Sequence, residues 1–486
     1  MHQLTAQTPP KRVLVCGPSN IAVDNVVLRL PAALPSVRLG HPARLLPAVL
    51  ARSLDAQTQT SDAGAIARDV RHELDALRTR LGAGAGAGAG GRQRLRGSAR
   101  RDAWEQLRHL RGEFRQRESR ATRELVAGSA VVLATLHGAG ARQLRGERFD
   151  VLVIDEGSQA LEAQCWIPLL LLLRGGGSRL VLAGDHMQLP PTVKSAVAKP
   201  RRVAEPPTAA KLSTDPPTSL EDTLFARLLR LHGPGVKRLL TVQYRMHEAI
   251  MRFPSQHLYD SALVAHPSVA GRLLADLPHV GGRSGDDSGD GPGDGPGDGP
   301  GDDNTRAPVV FIDTQGGDFP EAPAPPSDGG GGPAALLATS HSNPLEAALA
   351  ANHVRALVRA GVRDSEIAVL TPYTAQLALL ASALRPHYPG LELASVDAMQ
   401  GREKEAIVLS LVRSNDRRDP GFLRDSRRLN VAMTRARRHL CVVGDSATLR
   451  HAAGFLPAWL RWVESAPPAH VDVRYPDPAD ALSSPP

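Results

Sequence analysis

The sequence predicts an α/β fold made of two parallel-sheet domains, with a helical insertion in the first. Short apolar runs rich in β-branched residues end at polar loops, as buried parallel strands do. Helical patterns separate these runs in both halves of the chain, which is typical of parallel sheets covered by helices. With 486 residues, the chain is long enough for roughly two to four domains.

The predicted strands fall into two groups. The first group is 12–16, 131–133, 151–154 and 179–183, and the second is 309–312, 367–370, 406–411 and 440–443. A helical pattern follows Gly17 and presents Val23 and Val27 on one side, and another covers 343–360. We therefore expect each half of the chain to form its own sheet.

Low-complexity segments divide the chain further. We expect domain 1 at 1–205 with a helical stalk at about 40–128, a linker at 206–235, domain 2 at 236–465 and a disordered tail at 466–486. In the stalk, helices over 63–81 and 98–125 flank a Gly-Ala repeat (82–91) and are predicted to pack antiparallel. Two stretches of domain 2, about 281–307 and 315–342, are predicted to be disordered because they are rich in Gly and Pro.

Composition excludes several classes of protein. The three cysteines form no CxxC pair, which excludes a disulfide framework and a cysteine-rich zinc module. The longest uncharged apolar stretch, 165–173, is too short to cross a bilayer. The N-terminus lacks the apolar core of a secretory signal, so we expect the cytoplasm or the nucleus.

The formal net charge is +8, and the excess is concentrated in the stalk. Between Arg68 and Glu124, fifteen arginines face eight acidic residues. Such a segment is suited to a polyanion. Composition alone explains it equally well as the solvated surface of a helix pair.

The strongest local motif is VLVIDEGSQALE (151–162), in which an apolar strand delivers Asp155 and Glu156 to its carboxyl end. Ligands bind at that edge of open α/β sheets. Two adjacent carboxylates there can hold Mg²⁺ through its water shell and polarise the water that attacks a phosphoryl group. Taken alone, such a pair is more often a helix N-cap and its neighbour.

Four further motifs follow, each with an ordinary explanation when taken singly. They are LVLAGDHMQLPPT (180–192), LLTVQYRMH (239–247), VDAMQGREKEAIVLS (396–410) and RRLNVAMTRARRHLCVVGD (427–445). In this order and company they resemble the motifs of superfamily 1 helicases. Within that superfamily the chain is similar to the up-frameshift-like (Upf-like) group, above all to the immunoglobulin mu-binding protein 2 type. The resemblance extends from about Arg12 to Leu456.

The resemblance implies two RecA-like domains that bind ATP in the cleft between them and move 5′ to 3′ on single-stranded RNA or DNA. Asp155 would hold Mg²⁺ through water, and Glu156 would be the base for the attacking water. Gln188 would sense the γ-phosphate.

The resemblance assigns the remaining nucleotide contacts to domain 2. Tyr244 would stack on adenine, while Glu403 would bind the ribose next to Gly401. Arg245 and Arg435 would reach the γ-phosphate as arginine fingers, a role that stabilises the charge of the transition state.

The resemblance also assigns a surface to the strand, whose backbone would be contacted with little base specificity. Its residues would be Pro18, Ser19, Asn20, Thr135, Pro372, Tyr373, Val396 and Asp397. The arginine-rich stalk would add a salt-dependent attraction. The expected partner is single-stranded RNA or DNA, with no membrane, and the expected state is a monomer.

The sequence departs from the family at its first motif, GxxxxGK[ST], the loop that cradles the β- and γ-phosphates. None of the six lysines follows a glycine. Two explanations stay open: a truncated fragment or mis-started gene model of an active helicase, or a real short form that binds nucleic acid but hydrolyses ATP poorly. A regulatory scaffold is a third interpretation.

Overall fold

The protein forms two compact α/β units, seen in a computed structural model that describes residues 2–82, 97–193, 220–280, 302–322, 340–467 and 470–482. The first unit comprises residues 1–186 and 190–237, and the second comprises 187–189 and 238–486. Each unit has its own sheet. No helix within the described ranges is both long enough and apolar enough to cross a membrane.

The first unit contains five parallel strands in the order β2-β3-β1-β4-β5. Its strands are β1 (Val13–Gly17), β2 (Ser36–Arg38), β3 (Val131–Thr135), β4 (Val151–Ile154) and β5 (Arg179–Leu182). Its helices are α1 (His2–Thr5), α2 (Asn20–Leu28), α3 (Leu54–Thr60), α4 (Asp62–Gly82), α5 (Ser98–Gly128), α6 (Glu162–Arg174) and α7 (Leu224–His232).

Alternate residues of these strands enter two cores, because successive side chains of a strand point to opposite faces. Val13 and Val15 pack with Val23 of α2 on one face, while Leu14 packs with Cys165 of α6 on the other. Strand β5 is an edge strand, and Val181 at its centre is 48% exposed.

The second unit contains six parallel strands in the order β10-β9-β11-β12-β8-β13, besides the short pair β6 and β7. The strands are β6 (Val242–Gln243), β7 (Val264–Ala265), β8 (Val309–Asp313), β9 (Ile367–Leu370), β10 (Glu392–Ala394), β11 (Lys404–Ser410), β12 (Ala436–Gly444) and β13 (Asp472–Arg474). The helices are α8 (Glu248–Leu258), α9 (Pro267–Ala270), α10 (Asp302–Arg306), α11 (Pro344–Arg359), α12 (Thr374–Leu384), α13 (Ser426–Met433), α14 (Ser446–Leu449), α15 (Phe455–Ser465) and α16 (Pro478–Leu482).

The predicted fold class is confirmed, including the helical stalk. Helices α4 and α5 pack through their own small core, which includes Leu74, Leu77 and Leu107. This core is separate from the cores of the sheet, as expected for an inserted element. The Gly-Ala repeat lies outside the described residues except at Gly82.

The predicted disordered tail at 466–486 is wrong over its described part. Strand β13 pairs in parallel with β8 and adds a sixth strand to the sheet. Val471 and Ala481 are buried in the two cores of the unit. The tail folds because a short strand of three residues completes an open sheet edge, which needs little apolar sequence.

The predicted linker and insertions are also partly folded. Helix α7 lies within the predicted linker 206–235, yet Leu224 enters the core of the first unit. Within the predicted disordered insertions, Thr305 and Phe319 are buried. The remaining parts of these segments, 206–219, 281–301 and 323–339, lie outside the described residues.

Candidate functional site

The predicted site residues of the first unit lie at one edge of its sheet. In the ladder, Gly17 is opposite Thr135 and Cys16 is opposite Ile154, so β1, β3 and β4 end side by side. Pro18 and Asp155 follow two of these ends directly. The structure therefore brings the predicted carboxylate pair and predicted strand contacts to the same edge.

The two carboxylates are held there by the backbone around them. Asp155 N donates to Cys16 O at 2.8 Å, and Asp155 Oδ1 accepts from Glu156 N at 3.1 Å. Glu156 has φ of +53°, in the left-handed region, and its carboxylate accepts a hydrogen bond from Gln159. Burial raises the pKa of Asp155 above its usual value. A cation at this edge would offset that burial, because a nearby positive charge favours the ionised carboxyl.

Three residues of this unit that are predicted to contact the nucleic acid also form hydrogen bonds within the unit. Ser19 Oγ caps α2 by accepting from Ala22 N at 3.1 Å, and Thr135 Oγ1 accepts from Gly138 N at 3.1 Å. Asn20 Oδ1 accepts from the buried Arg38 at 2.9 Å. Ser19 is nevertheless exposed, so its position is accessible to a ligand.

The predicted residues of the second unit separate to opposite ends of its sheet. Pro372 and Tyr373 follow the carboxyl end of β9, and Val396 and Asp397 follow that of β10. Tyr373 and Val396 are only 3% and 2% exposed, whereas Asp397 is exposed and pairs with Arg428 at 3.0 Å. A nucleic-acid strand bound at this end would therefore contact the backbone and not the buried side chains of Tyr373 and Val396.

The residues predicted to contact the nucleotide lie at the amino ends of β11 and β12. Gly401, with φ of +76°, and Glu403 precede β11, while Arg435 precedes β12. Glu403 accepts from Arg245 and, at 3.0 Å, from Arg437 Nε. Burial opposes ionisation of Glu403, but the Arg437 hydrogen bonds and the Arg245 charge outweigh it and lower the pKa of Glu403 to about 2.

Arg435 is 3% exposed and is held by polar groups of its own turn. Its Nε donates to Val431 O at 3.0 Å, and its Nη2 donates to Thr434 Oγ1 at 3.2 Å. These are neutral acceptors, so the guanidinium charge is oriented by them without being neutralised by them.

Tyr244 and Gln188 complete the predicted nucleotide set. Tyr244 is 64% exposed, and its ring stacks on His266 with centroids 4.5 Å apart. Gln188 lies in the short segment 187–189 that groups with the second unit.

The structure adds three charged residues that the sequence analysis missed. Glu405 accepts from Arg437 Nη1 at 2.7 Å and from Arg438 Nε at 2.7 Å. Because Lys404 pairs with Ala436 in the ladder, Glu403 and Glu405 lie next to Arg435 and Arg437. The alternating charges of REKE (402–405) and the three arginines of RARR (435–438) were the available signal.

Comparison with known proteins gives consistent matches over both units. Two protein-family models, each described as an AAA domain, match residues 1–196 and 220–447. The DNA polymerase alpha-associated DNA helicase A of Schizosaccharomyces pombe is 42% identical over 455 residues, which cover 93% of this chain and 60% of that protein.

Two further relatives match over most of this chain. The DNA-binding protein SMUBP-2 of Mus musculus is 41% identical, covering 91% of this chain and 39% of that protein. The regulator of nonsense transcripts 1 homolog of Neurospora crassa is 31% identical, covering 91% and 34%. A solved arterivirus nonstructural protein 10 helicase with DNA has a TM-score of 0.30 at 12% identity, covering 92% of this chain and 63% of that chain.

Proposed function

We propose that this chain, which belongs to the Upf-like group of superfamily 1 helicases, couples ATP hydrolysis to 5′-to-3′ movement along single-stranded RNA or DNA. The chain spans 60% or less of the three relatives described above. The observation that carries the proposal is the Asp155-Glu156 pair at the end of β4, beside the ends of β1 and β3.

The carboxylate pair fits the requirements of phosphoryl transfer. Mg²⁺, when bound, would neutralise charge on the phosphates of ATP. Asp155 would hold it through water, and the positive charge would favour the ionised form of a carboxyl whose pKa is raised by burial. Glu156 would accept the proton of the attacking water, with Gln159 orienting its carboxylate.

The ion pair of Glu403 and Arg245 in the second unit could link recognition of the ribose to recognition of the γ-phosphate of one nucleotide. Glu403 would bind the ribose hydroxyls, and Tyr244 offers an exposed ring for adenine. Since Glu403 also holds Arg245, a ribose hydroxyl that donates to Glu403 would weaken this ion pair. Arg245 would then be released toward the γ-phosphate, which Arg435 would also reach and Gln188 would sense.

The nucleic-acid strand would contact the carboxyl end of each sheet. Pro18, Ser19, Asn20 and Thr135 would contact it from the first unit. From the second unit the contacts would be Pro372, Tyr373, Val396 and Asp397, chiefly through their backbone amides.

The test measures ATP hydrolysis by the protein translated from the native transcript, with and without oligouridine or oligothymidine. We expect Glu156→Gln to lower turnover by about 10²-fold or more, because a general base contributes about that much. ATP-dependent strand binding should persist in this variant. The matched control is Glu464→Gln on α15, which makes the same charge change away from the sheet edge and from the stalk. Equal loss of ATP binding and hydrolysis in Glu156→Gln would refute its assignment as the base.

A further inference from the structure

A strained turn follows β11 in the second unit. Val412 has φ of +73°, and Arg413 N donates to Leu411 O at 2.8 Å, which together define a γ-turn. A γ-turn with positive φ is rare and strained, and a β-branched residue is unfavourable at its centre. Val412 is also completely buried. Glycine would adopt this backbone without strain, so another group must hold the turn.

That group is the buried carboxylate of Glu346. Val412 N donates to its Oε1 at 2.8 Å and to its Oε2 at 3.0 Å, and Ser410 Oγ donates to Oε1 at 2.7 Å. Glu346 lies in the first turn of α11, where Asn343 Oδ1 caps the helix by accepting from Glu346 N at 3.0 Å. The rigid start of α11 thus fixes an acceptor against the N–H of the strained residue.

Burial of Glu346 is unfavourable in its own right. Its side chain has no exposed surface, and desolvation raises the pKa of Glu346 to about 7 although three donors face it. A carboxyl that served only to fill space would be replaced by an apolar side chain without this penalty. Its hydrogen bonds to the turn are therefore the feature that requires explanation.

The turn directs Arg413 into a cluster that joins three loops. Arg413 Nε pairs with Glu321 Oε2 at 2.8 Å, and its Nη2 lies 3.6 Å from Asp419 Oδ2. Its guanidinium lies against the hydroxyl of Tyr373. A side chain at Gly421 would collide with Arg413, so this loop closes directly over the guanidinium. Tyr373 belongs to the surface that we assign to the nucleic-acid strand.

We propose that Glu346 is a positioning residue for strand binding. By holding the γ-turn at Val412, it directs Arg413 onto the Tyr373 loop and so sets the carboxyl edge of the second sheet in the geometry that receives the strand. This inference rests on the proposed function, because it concerns the same nucleic-acid surface.

The experiment measures the affinity of the full chain for fluorescein-labelled oligouridine and oligothymidine, at fixed salt and without nucleotide. At pH 8, above the pKa of Glu346, Glu346→Gln replaces a charged acceptor with a neutral one of the same shape, and we expect affinity to fall about fivefold. Adding Val412→Gly should restore affinity to within about twofold of the wild type, since glycine adopts the turn without the clamp. Ser410→Ala is the control, because it removes a donor to Glu346 but not the bond to the turn.

A merely structural role for Glu346 predicts that the double variant binds the strand no better than Glu346→Gln, because Val412→Gly deletes a further buried side chain. A positioning role predicts that strand affinity recovers although the Tm of the double variant lies below that of Glu346→Gln. An affinity no better than that of Glu346→Gln would overturn the inference. If the glycine double variant does not unfold cooperatively, Arg413→Gln tests the same path, because Glu346 is inferred to act through Arg413. An unchanged strand affinity in Arg413→Gln would overturn the inference. Failure of the wild type to bind either oligonucleotide would instead refute the proposed function.

Discussion

Glu403 forms ion pairs with two arginines of the second unit. It lies between Arg245 and Arg437, and its side chain is 30% exposed. Because these arginines lower the pKa of Glu403 to about 2, the ionised form is the one that stabilises the fold. The stabilisation is therefore fully present above the unfolded pKa of about 4.5 and is lost as the pH falls toward 2.

We expect Glu403→Gln to lower the free energy of unfolding by about 1–2 kcal/mol at pH 7, a value reduced for the solvent that screens a partly exposed group. The gap between wild type and variant should narrow as the pH falls from 4.5 to 2. Thermal unfolding at several pH values measures it. The control Glu248→Gln removes the exposed ion pair with Arg252 on α8 and should change little. A gap that stays constant with pH would contradict this account.

Single residues show where sequence reasoning succeeds and where it stops. Asp155 and Glu156 could be placed from sequence, because a buried strand delivers whatever follows it to the carboxyl edge. The burial of Tyr373 could not, since it depends on Arg413 and on a loop of distant sequence that folds over it. The Val412 turn contradicts local preference and is fixed by Glu346, which lies far away in the chain.

At the scale of elements, the two stalk helices have apolar side chains on the faces that pack together and charged side chains on the exposed faces. Helices α4 and α5 bury a leucine-rich stripe between them, and most of their arginines point to solvent. Exposed arginines that are not neutralised by neighbours attract a polyanion through release of its counterions. Four exposed arginines of α5, which form no ion pair within the part of the chain that the structure describes, are Arg100, Arg101, Arg108 and Arg111.

Changing these four arginines to glutamine should weaken strand binding and flatten its salt dependence. If all four approach phosphates, the slope of log K against log salt should become less negative by up to about three, since each single-strand contact contributes about 0.7. Fluorescence anisotropy across a salt series measures the slope. The matched control changes four exposed arginines of the second unit, Arg359, Arg363, Arg385 and Arg461, to glutamine. An unchanged slope in the α5 variant would show that the stalk is a solvated surface.

The elements that the sequence analysis missed share a physical cause. Strand β13 has three residues, and α10 and α16 have five each, so none contains enough periodic sequence to be recognised. They fold because β8 already offers an edge and α11 a surface, as the bond from Asn352 Nδ2 of α11 to Asp480 O of α16 at 3.0 Å illustrates. Strands such as β11 and β12 are predictable because each contains a run of consecutive apolar residues, which is typical of a buried strand.

At the scale of the whole molecule, each unit has cores on both faces of its own sheet. In the second unit, Phe311 and Leu409 pack on one face with Trp459, while Val310 and Val408 pack on the other with Leu357. The core of the second unit draws almost entirely on residues after 238, apart from Leu189. Folding of this unit therefore depends mainly on sequence within 238–486.

We expect residues 238–486, expressed alone, to fold and to unfold in one cooperative transition, because a domain with its own two-sided core needs no partner to bury its apolar surface. Calorimetry should place this transition within a few degrees of one of the transitions of the full chain, allowing for the lost contact of Leu189. The counterpart 1–237 is the comparison, and it presents the open edge strand β5 with Val181 exposed. We expect 1–237 to aggregate more readily, as unpaired strand edges do. A fragment 238–486 without a cooperative transition would show that the two units fold only together.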